Sequence, residues 1–362
     1  MNLEGEGKVS KKQLRLLIIN YSMDAKDPIF SHQEQIAFKL SDKFENVTVL
    51  THHSSSNTVP LENSKLKIYP LKWGEQGNLV KIFSFYYYLI KILSRRKINL
   101  VFFHMTDLDA ALGIFVLKIL RIPSLLWYAH SNASVYLKIY EKFGTNIISS
   151  TKGSCQIDSN KVKFIGQSID YKQFYLRKNA ILGKDKFVHV GRIDASKNLE
   201  LIIESLLEFR TKNLKIQLHL YGVPTNQGYF KKFMSYVEAI NEQSFEPWIF
   251  YHKSILRSQL RNEFLKYDVF IHAFLGSLDK ALLEAALAGL PVISINPEFA
   301  LQFPEMSLTN KNLQDQILDF YQSNDEVILK KIKYTQKLIH LNHSLDNWID
   351  NVESELRNLV KN

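Results

Sequence analysis

Two permanent cations lie five residues apart at one strand-to-helix junction, in Val188-His189-Val190-Gly191-Arg192-Ile193-Asp194-Ala195-Ser196-Lys197-Asn198. An apolar strand runs into Gly-Arg, and the lysine follows at the mouth of a helix. A helix N-terminus offers unpaired N–H groups and positive potential. Arg192 adds a planar fork of donors and Lys197 a compact point charge. Gly191, Arg192 and Lys197 together suit a diphosphate, above all one that gains charge as it leaves; the alternative is a surface ion pair at Arg192. Further along, Leu282 to Ile293 reads as a helix with a carboxylate, Glu284, near its start, a stop at Gly289 and a short buried strand. Ahead of it stands Gly276-Ser277-Leu278-Asp279-Lys280. Ser277 or Asp279 can cap that helix, which leaves its N–H groups to face a phosphate or sugar. Lys280 precedes Glu284 by four residues and shares its helix face, as part of a site or as an ordinary ion pair on a solvated surface.

The first half offers fewer such groups. His130 follows Trp127-Tyr128-Ala129 at the end of an apolar strand, the edge where ligands of doubly wound sheets bind. His104 also ends a strand and is an acceptor-side candidate. Ser31 can cap the next helix, with His32 and Gln33 in its first turn pointing toward the cleft; they contact a phosphate or acceptor, or simply cap. Asp107-Leu108-Asp109 has the form of a metal-binding Asp-x-Asp pair, but it opens a helix, where aspartate is expected anyway, and nothing nearby completes a Mg²⁺ site. No Cys/His cluster has zinc spacing. No metal and no cofactor is expected.

The elements that must position these residues alternate between apolar strands and helical stretches, which argues for an α/β protein with parallel sheets. Strands are expected at 16–20, 47–50, 66–69, 100–104, 124–128, 146–149 and 162–165, and again at 187–190, 216–221, 248–251, 269–272 and 292–295. Helices are expected at 31–44, 79–95, 108–120, 198–210 and 257–267, and the tail from 307 to 362 reads as helices only. The polar, Lys-rich stretch 170–185 divides the chain into domains 1–172 and 173–362. Two Rossmann-like halves facing across a cleft would bring both sets of strand C-termini to one place. Residues 1–12 read as a flexible lead-in.

Composition sets bounds. The chain has 362 residues with a hydrophobic fraction of 46%, enough for two cored domains. One cysteine, Cys155, rules out an internal disulfide and fits a reducing compartment. The N-terminus does not read as a signal peptide, and no uncharged apolar run is long enough to span a bilayer, so a cytoplasmic location is expected. Of the net charge of +10, residues 1–172 hold 23 Lys and Arg against 14 Asp and Glu, while the remainder holds 23 against 22. The first half is therefore the basic one, which points to an anionic partner or to a merely soluble surface. The aromatic stretch Leu79–Lys97 ends in Arg95-Arg96-Lys97; it either packs on its sheet or touches the inner face of an anionic membrane. No nucleic-acid motif accompanies the charge. No Gly-x-Gly-x-x-Gly follows the first strand, which excludes an ordinary dinucleotide site.

The two segments around Arg192 and Glu284 resemble the donor half of retaining nucleotide-sugar glycosyltransferases of the GT-B fold, of the family-four type (glycosyl transferases group 1). The resemblance implies that Arg192 and Lys197 hold the diphosphate and that Glu284, matching the second acid of the Glu-x7-Glu motif, takes the ribose hydroxyls. Tyr221-Gly222 resembles the family's strand-then-Gly. Phe250-Tyr251-His252-Lys253, with Leu256 and Leu260, resembles the loop that cups the base. His130 resembles the histidine beside the donor sugar. Two departures stand out. The motif's first acid falls at Gly276, and the Gly-Gly loop after the first strand is absent from Tyr21 to Gln33.

The reading is a metal-independent, retaining glycosyltransferase. It moves a sugar from a nucleotide-diphosphate-sugar to a hydroxyl of a glycan or lipid-linked acceptor, as in polysaccharide or glycolipid biosynthesis. A sugar-nucleotide epimerase on the same fold and a non-catalytic GT-B-like binding protein remain as alternatives.

Overall fold

The computed structural model describes residues 14–27, 29–55, 65–71, 73, 77–175, 183–212, 215–307 and 311–361. The expected lead-in at 1–12 and residues 176–182 of the expected link lie outside them. The chain forms two compact units. Unit 1 holds Met1–Ser149, Cys155–Phe164 and Ile349–Asn362; unit 2 holds Ser150–Ser154 and Ile165–Trp348. The division thus falls earlier than 172/173, and the chain end returns to the first unit. The reason is in the last helix: Arg357 donates to Glu353 (2.8 Å) and to the Lys43 carbonyl (2.7 Å), and its guanidinium stacks over Phe44, all within unit 1.

Unit 1 is built from β1 (Arg15–Met23), α1 (His32–Ser41), β2 (Asn46–Ser54), β3 (Leu66–Pro70), α2 (Asn78–Arg96), β4 (Leu100–His104), α3 (Asp107–Ile119), β5 (Ser124–Trp127), α4 (Val135–Phe143), β6 (Asn146–Ser149) and β7 (Val162–Phe164). The strands form one parallel sheet in the order β3-β2-β1-β4-β5-β6-β7. Strands such as Leu100-Val101-Phe102-Phe103-His104 are buried along their whole length, because helices cover both faces of a parallel sheet. The order reverses direction between β1 and β4, and the crevice at their C-terminal ends is the place for a ligand.

Unit 2 begins with α5 (Tyr171–Phe174) and β8 (Lys186–Val190). It continues through α6 (Leu199–Arg210), β9 (Gln217–Tyr221), α7 (Gln227–Glu242), β10 (Ile249–His252), α8 (Arg257–Phe264), β11 (Val269–His272), α9 (Lys280–Leu287), β12 (Val292–Ser294), α10 (Pro297–Gln302), α11 (Leu313–Gln322) and α12 (Asp325–His343). A last helix, α13 (Leu345–Lys361), carries the chain back to unit 1. The sheet is again parallel, ordered β10-β9-β8-β11-β12, so its reversal lies between β8 and β11. The two glycines that end β8 and β9 let these strand ends meet: a Cβ on Gly222 would lie 1.7 Å from the Gly191 carbonyl oxygen. Helix α9 is buried from Ala281 to Leu287, its small residues fitting it tightly against the sheet. Two Rossmann-like sheets with C-terminal helices make this the GT-B fold. Among the described residues no helix is long and apolar enough to cross a membrane.

Candidate functional site

In unit 2 the side chains converge where the sheet order reverses. Lys197 does not open α6 itself. It closes a 3-10 turn, Ala195–Lys197, and Asn198 in the left-handed region (φ 49°) links that turn to the helix. The Asn198 side chain donates to the Ala273 carbonyl (3.0 Å), which pins the turn to the end of β11. Lys197 is consequently buried, 6% exposed in its side chain, and its ammonium pairs with Asp279 Oδ2. It also stands 4.1 Å above the Phe274 ring, a cation–π contact. Arg192 is more open, 43% exposed, with Nε 3.4 Å from Asp194 Oδ2. Asp194 in turn accepts from the Ser196 N–H (3.0 Å). Both expected cations are present, but each already has a carboxylate partner.

Asp279, not Ser277, caps α9: its Oδ1 accepts from the Ala281 N–H (3.3 Å) while Oδ2 faces Lys197 and the His272 Nε2 (3.4 Å). Burial acts to raise the Asp279 pKa, but the Lys197 charge and His272 outweigh it and hold the carboxyl well below its usual range. His272 is itself fully buried, its pKa lowered by burial against the pull of Asp279, and its Nδ1 lies 3.3 Å from Ser294 Oγ. His189 stacks on it at 5.8 Å and is pushed down to about 3 by burial, with His272 and Lys197 adding to the shift. A neutral imidazole pair thus backs the Lys197–Asp279 pair.

The missing acid at Gly276 has a physical explanation. A Cβ there would lie 2.1 Å from the Phe274 ring, the same ring that carries the Lys197 ammonium. Asn296 holds this loop by donating its Nδ2 to the carbonyls of Phe274 (2.9 Å), Gly276 (3.2 Å) and Ser277 (3.2 Å). Ser277 therefore contributes a carbonyl to the loop rather than a cap.

One turn along α9, Lys280 and Glu284 do share a face, and that face is not a solvated surface. Glu284 is 3% exposed and pairs with Arg257, from the first turn of α8, whose guanidinium stacks over Phe174 at 5.3 Å. Lys280 Nζ donates to Ser168 Oγ (2.9 Å). Burial raises the Glu284 pKa against the opposing charges of Arg257 and Lys280. Burial and the Arg257 charge lower that of Lys280. The residues expected to cup a base fall differently. Phe250, Tyr251 and His252 belong to β10, His252 stacks on Tyr221 (4.4 Å), and Lys253 is exposed beyond them.

Unit 1 corrects several expectations at its own reversal point. Ser31 sits at the start of α1 but makes no side-chain capping bond. Gln33 is buried; its Oε1 accepts from the N–H groups of Tyr21 and Ser22 (3.0 Å each) and its Nε2 donates to the His104 carbonyl (3.2 Å). It ties β1 to β4 instead of pointing into a cleft, because its amide supplies both a donor and an acceptor to strand ends that lack partners. His104 is buried, stacked on Phe102 (5.5 Å) and edge-on to His32 (5.8 Å), so it belongs to the wall of the crevice and not to its mouth. His130 lies three residues beyond β5 in an exposed loop, where its Nδ1 accepts from the Asn132 N–H (3.1 Å). Asp107 accepts from the Ser134 hydroxyl. Asp109 is buried against His52 Nε2 (2.6 Å). Among the described residues no group of three His, Cys, Asp or Glu side chains could hold a metal ion.

Sequence reasoning missed Arg257, His272, Phe274, Asn296 and His52. Only Asn296 carried a local signal, as Asn-Pro at a helix start with its Oδ1 accepting from the Phe299 N–H (2.9 Å).

Residues 184–312, the heart of unit 2, match the family model described as glycosyl transferases group 1. No curated protein matches the chain. Solved structures share the fold. Anabaena HepE in complex with UDP and glucose is 14% identical with a TM-score of 0.73, covering 96% of this chain and all of its own. A glycosyltransferase from Rickettsia africae is 11% identical with a TM-score of 0.72, over 97% of this chain and 99% of that one. The lipopolysaccharide outer core galactosyltransferase WaaB is 11% identical with a TM-score of 0.67, over 95% and 100%.

Proposed function

We propose that the chain transfers a sugar from a nucleotide-diphosphate-sugar to a hydroxyl of a glycan or lipid-linked acceptor, with retention at the anomeric carbon and without a metal. The observation that carries the proposal is the set of Arg192, Lys197 and Asp279 at the reversal point of the unit 2 sheet, inside the stretch that matches the glycosyltransferase family. Two cations on rigid strand and turn ends can stabilise a diphosphate as its bond to the sugar loosens, and preorganised charge at a developing anion is the largest catalytic contribution available here. In this reading Gly191 leaves room for the phosphates, Glu284 takes the ribose hydroxyls and Asp279 serves in place of the acid absent at Gly276. Orientation of the sugar by His130 belongs to the same proposal, as does peripheral contact of α2 with an anionic membrane.

Solved neighbours in complex with UDP and with UDP-glucose make these the first ligands to test. A ligand held at one hundred times its dissociation constant stabilises the folded state by about 2.7 kcal/mol. A thermal-shift series of nucleoside diphosphates and their sugars should therefore show a clear rise for the true donor, and the same donor should be slowly hydrolysed without acceptor. Stabilisation without hydrolysis or transfer would leave a binding protein; no stabilisation by any nucleotide would remove the proposal.

A further inference from the structure

The N-terminal edge of the unit 1 sheet carries a feature that sugar transfer does not use. Ligands of open parallel sheets bind at the C-terminal ends of the strands. At the opposite edge, where β1, β2 and β3 begin and α2 ends, lies a cavity of about 210 Å³ lined by Arg15, Lys65, Lys67, Arg95 and Arg96, with Thr48 and Ile98 among its other walls. Arg15 has a partner, Glu45 at 2.9 Å, and Arg96 donates to the Tyr69 hydroxyl (2.7 Å). Among the described residues no carboxylate forms an ion pair with Lys65, Lys67, Arg95 or Arg96. Arg95 and Arg96 offset the negative end of the α2 dipole. The two lysines, one on either side of Leu66, have no such task. Among the described residues, these five cations share one ion-paired acid, Glu45; they repel one another, and an anion would relieve that repulsion.

Helix α2 says where the anion comes from. Its inner face buries Phe85, Leu89, Ile92 and Leu93. Its outer face, which a surface helix ordinarily makes polar, exposes Leu79 (72%), Phe83 (73%), Tyr87 (60%) and Ile90 (54%). These fall at i, i+4, i+8 and i+11, one stripe on the helix whose C-terminal end lines the cationic cavity. Lys91 stands over the rings of Tyr87 and Tyr88 (5.3 and 5.7 Å). A helix that carries an apolar stripe and ends in clustered cations matches a surface whose lower layer is hydrocarbon and whose upper layer carries negative charge.

We propose that this cavity binds the phosphoryl headgroup of an anionic lipid, with the α2 stripe seated in the acyl boundary beside it. The site deepens the α2 membrane contact proposed above and is independent of the donor site. The test uses the full chain sedimented with phosphatidylcholine vesicles, with or without phosphatidylglycerol. Changing Lys65, Lys67 and Arg95 to Gln should lower partitioning to the anionic vesicles by about fivefold per cation, roughly a hundredfold together. A matched control, Lys118, Lys138 and Lys142 to Gln on α3 and α4, should cost far less, and Phe83→Ser with Ile90→Ser should release the protein from the vesicles. Equal losses from the two charge triples would overturn the cavity and leave only diffuse attraction. Release by the stripe variant, with the cavity triple behaving as the control, would keep the α2 contact and remove the headgroup site. No binding by the unaltered chain removes both. A thermal shift by inorganic phosphate that the cavity triple abolishes, with vesicle binding unchanged, would make this a soluble-anion site and overturn the lipid assignment. Donor hydrolysis in the cavity triple should stay at the unaltered level, so loss of lipid binding is separable from loss of the enzyme.

Discussion

Replacing Asp279 by Asn removes one charge and little else, and it should move two quantities in opposite directions. Asn is as good a helix N-cap as Asp, so the bond to the Ala281 N–H survives. What disappears is the counter-charge of Lys197, a side chain only 6% exposed. Breaking a buried pair from one side costs about 3–5 kcal/mol. Asp279 is 20% exposed and the Phe274 face still holds the ammonium, so the low end, about 3 kcal/mol, applies. For a domain of this size that lowers the melting temperature by about 6–12 °C at neutral pH. The pH dependence has a definite sign. A carboxylate with a depressed folded-state pKa contributes stability that is fully present above its unfolded pKa, about 3.9, and is lost as pH falls through the folded value. The stability curves of the two proteins should therefore run apart at neutral pH and converge only in strong acid. Affinity should move the other way. At an effective dielectric of about 20 and a separation of about 6 Å, one carboxylate repels one unit of phosphate charge by about 2–3 kcal/mol before screening. Calorimetry with uridine diphosphate should show binding about tenfold tighter in the variant. A variant that is less stable yet binds the diphosphate no better would mean that Lys197 is a structural cation; one that melts like the unaltered protein would mean that the pair carries no weight at all.

Arg192→Ala should fold normally, since the side chain is 43% exposed, and should lose about a hundredfold or more in turnover, measured as donor hydrolysis or transfer. Glu284→Gln leaves Arg257 and Lys280 as two half-buried cations without a carboxylate, so it should destabilise the protein and weaken nucleoside diphosphate binding more than it slows bound substrate. Unchanged affinity by calorimetry would show that Glu284 does not hold the ribose. Activity should persist in EDTA; complete loss restored by Mg²⁺ or Mn²⁺ would return attention to Asp107 and Asp109.

The strands were legible because a parallel sheet buried on both faces demands continuous apolar runs, and Leu100–His104 and Asn146–Ser149 are such runs with polar ends. The positions of Arg192 and Lys197 were legible for a related reason: each follows the end of β8 at a turn that punctuation in the chain marks, whereas Glu284 lies in the middle of α9. Their partners were not. Lys197 meets Asp279 across 82 residues, His52 meets Asp109 across 57, and Arg257 meets Glu284 across 27. No periodicity links such pairs, because they are set by which strand ends become neighbours in the sheet. Gln33 shows the same limit. Its place in the first turn of α1 was readable, but whether it faced outward or tied two strands together depended on β1 and β4 being adjacent. The domain boundary failed for the same cause, since only packing reveals that the last helix ends on unit 1.

An acid at 279 can do what one at 276 cannot. At 276 a carboxylate would stand in the loop before α9, in the space the Phe274 ring now fills. At 279 it caps α9 and takes the Lys197 ammonium and the His272 edge at once. A diphosphate that takes Lys197 must therefore compete with Asp279, and whatever it takes from that pair is also taken from the start of α9. The same helix opens with Lys280 and carries Glu284 one turn further on, paired with Ser168 and Arg257 respectively. Charge at the Lys197–Asp279 pair and charge at Glu284 are thus coupled through the start of one helix, buried from Ala281 to Leu287, and the Asp279 charge contributes to the raised pKa of Glu284. Neutralising Asp279 should then ease ionisation of Glu284 as well as free Lys197, so that the gain in diphosphate affinity and the acid convergence of the stability curves come from one local change in charge.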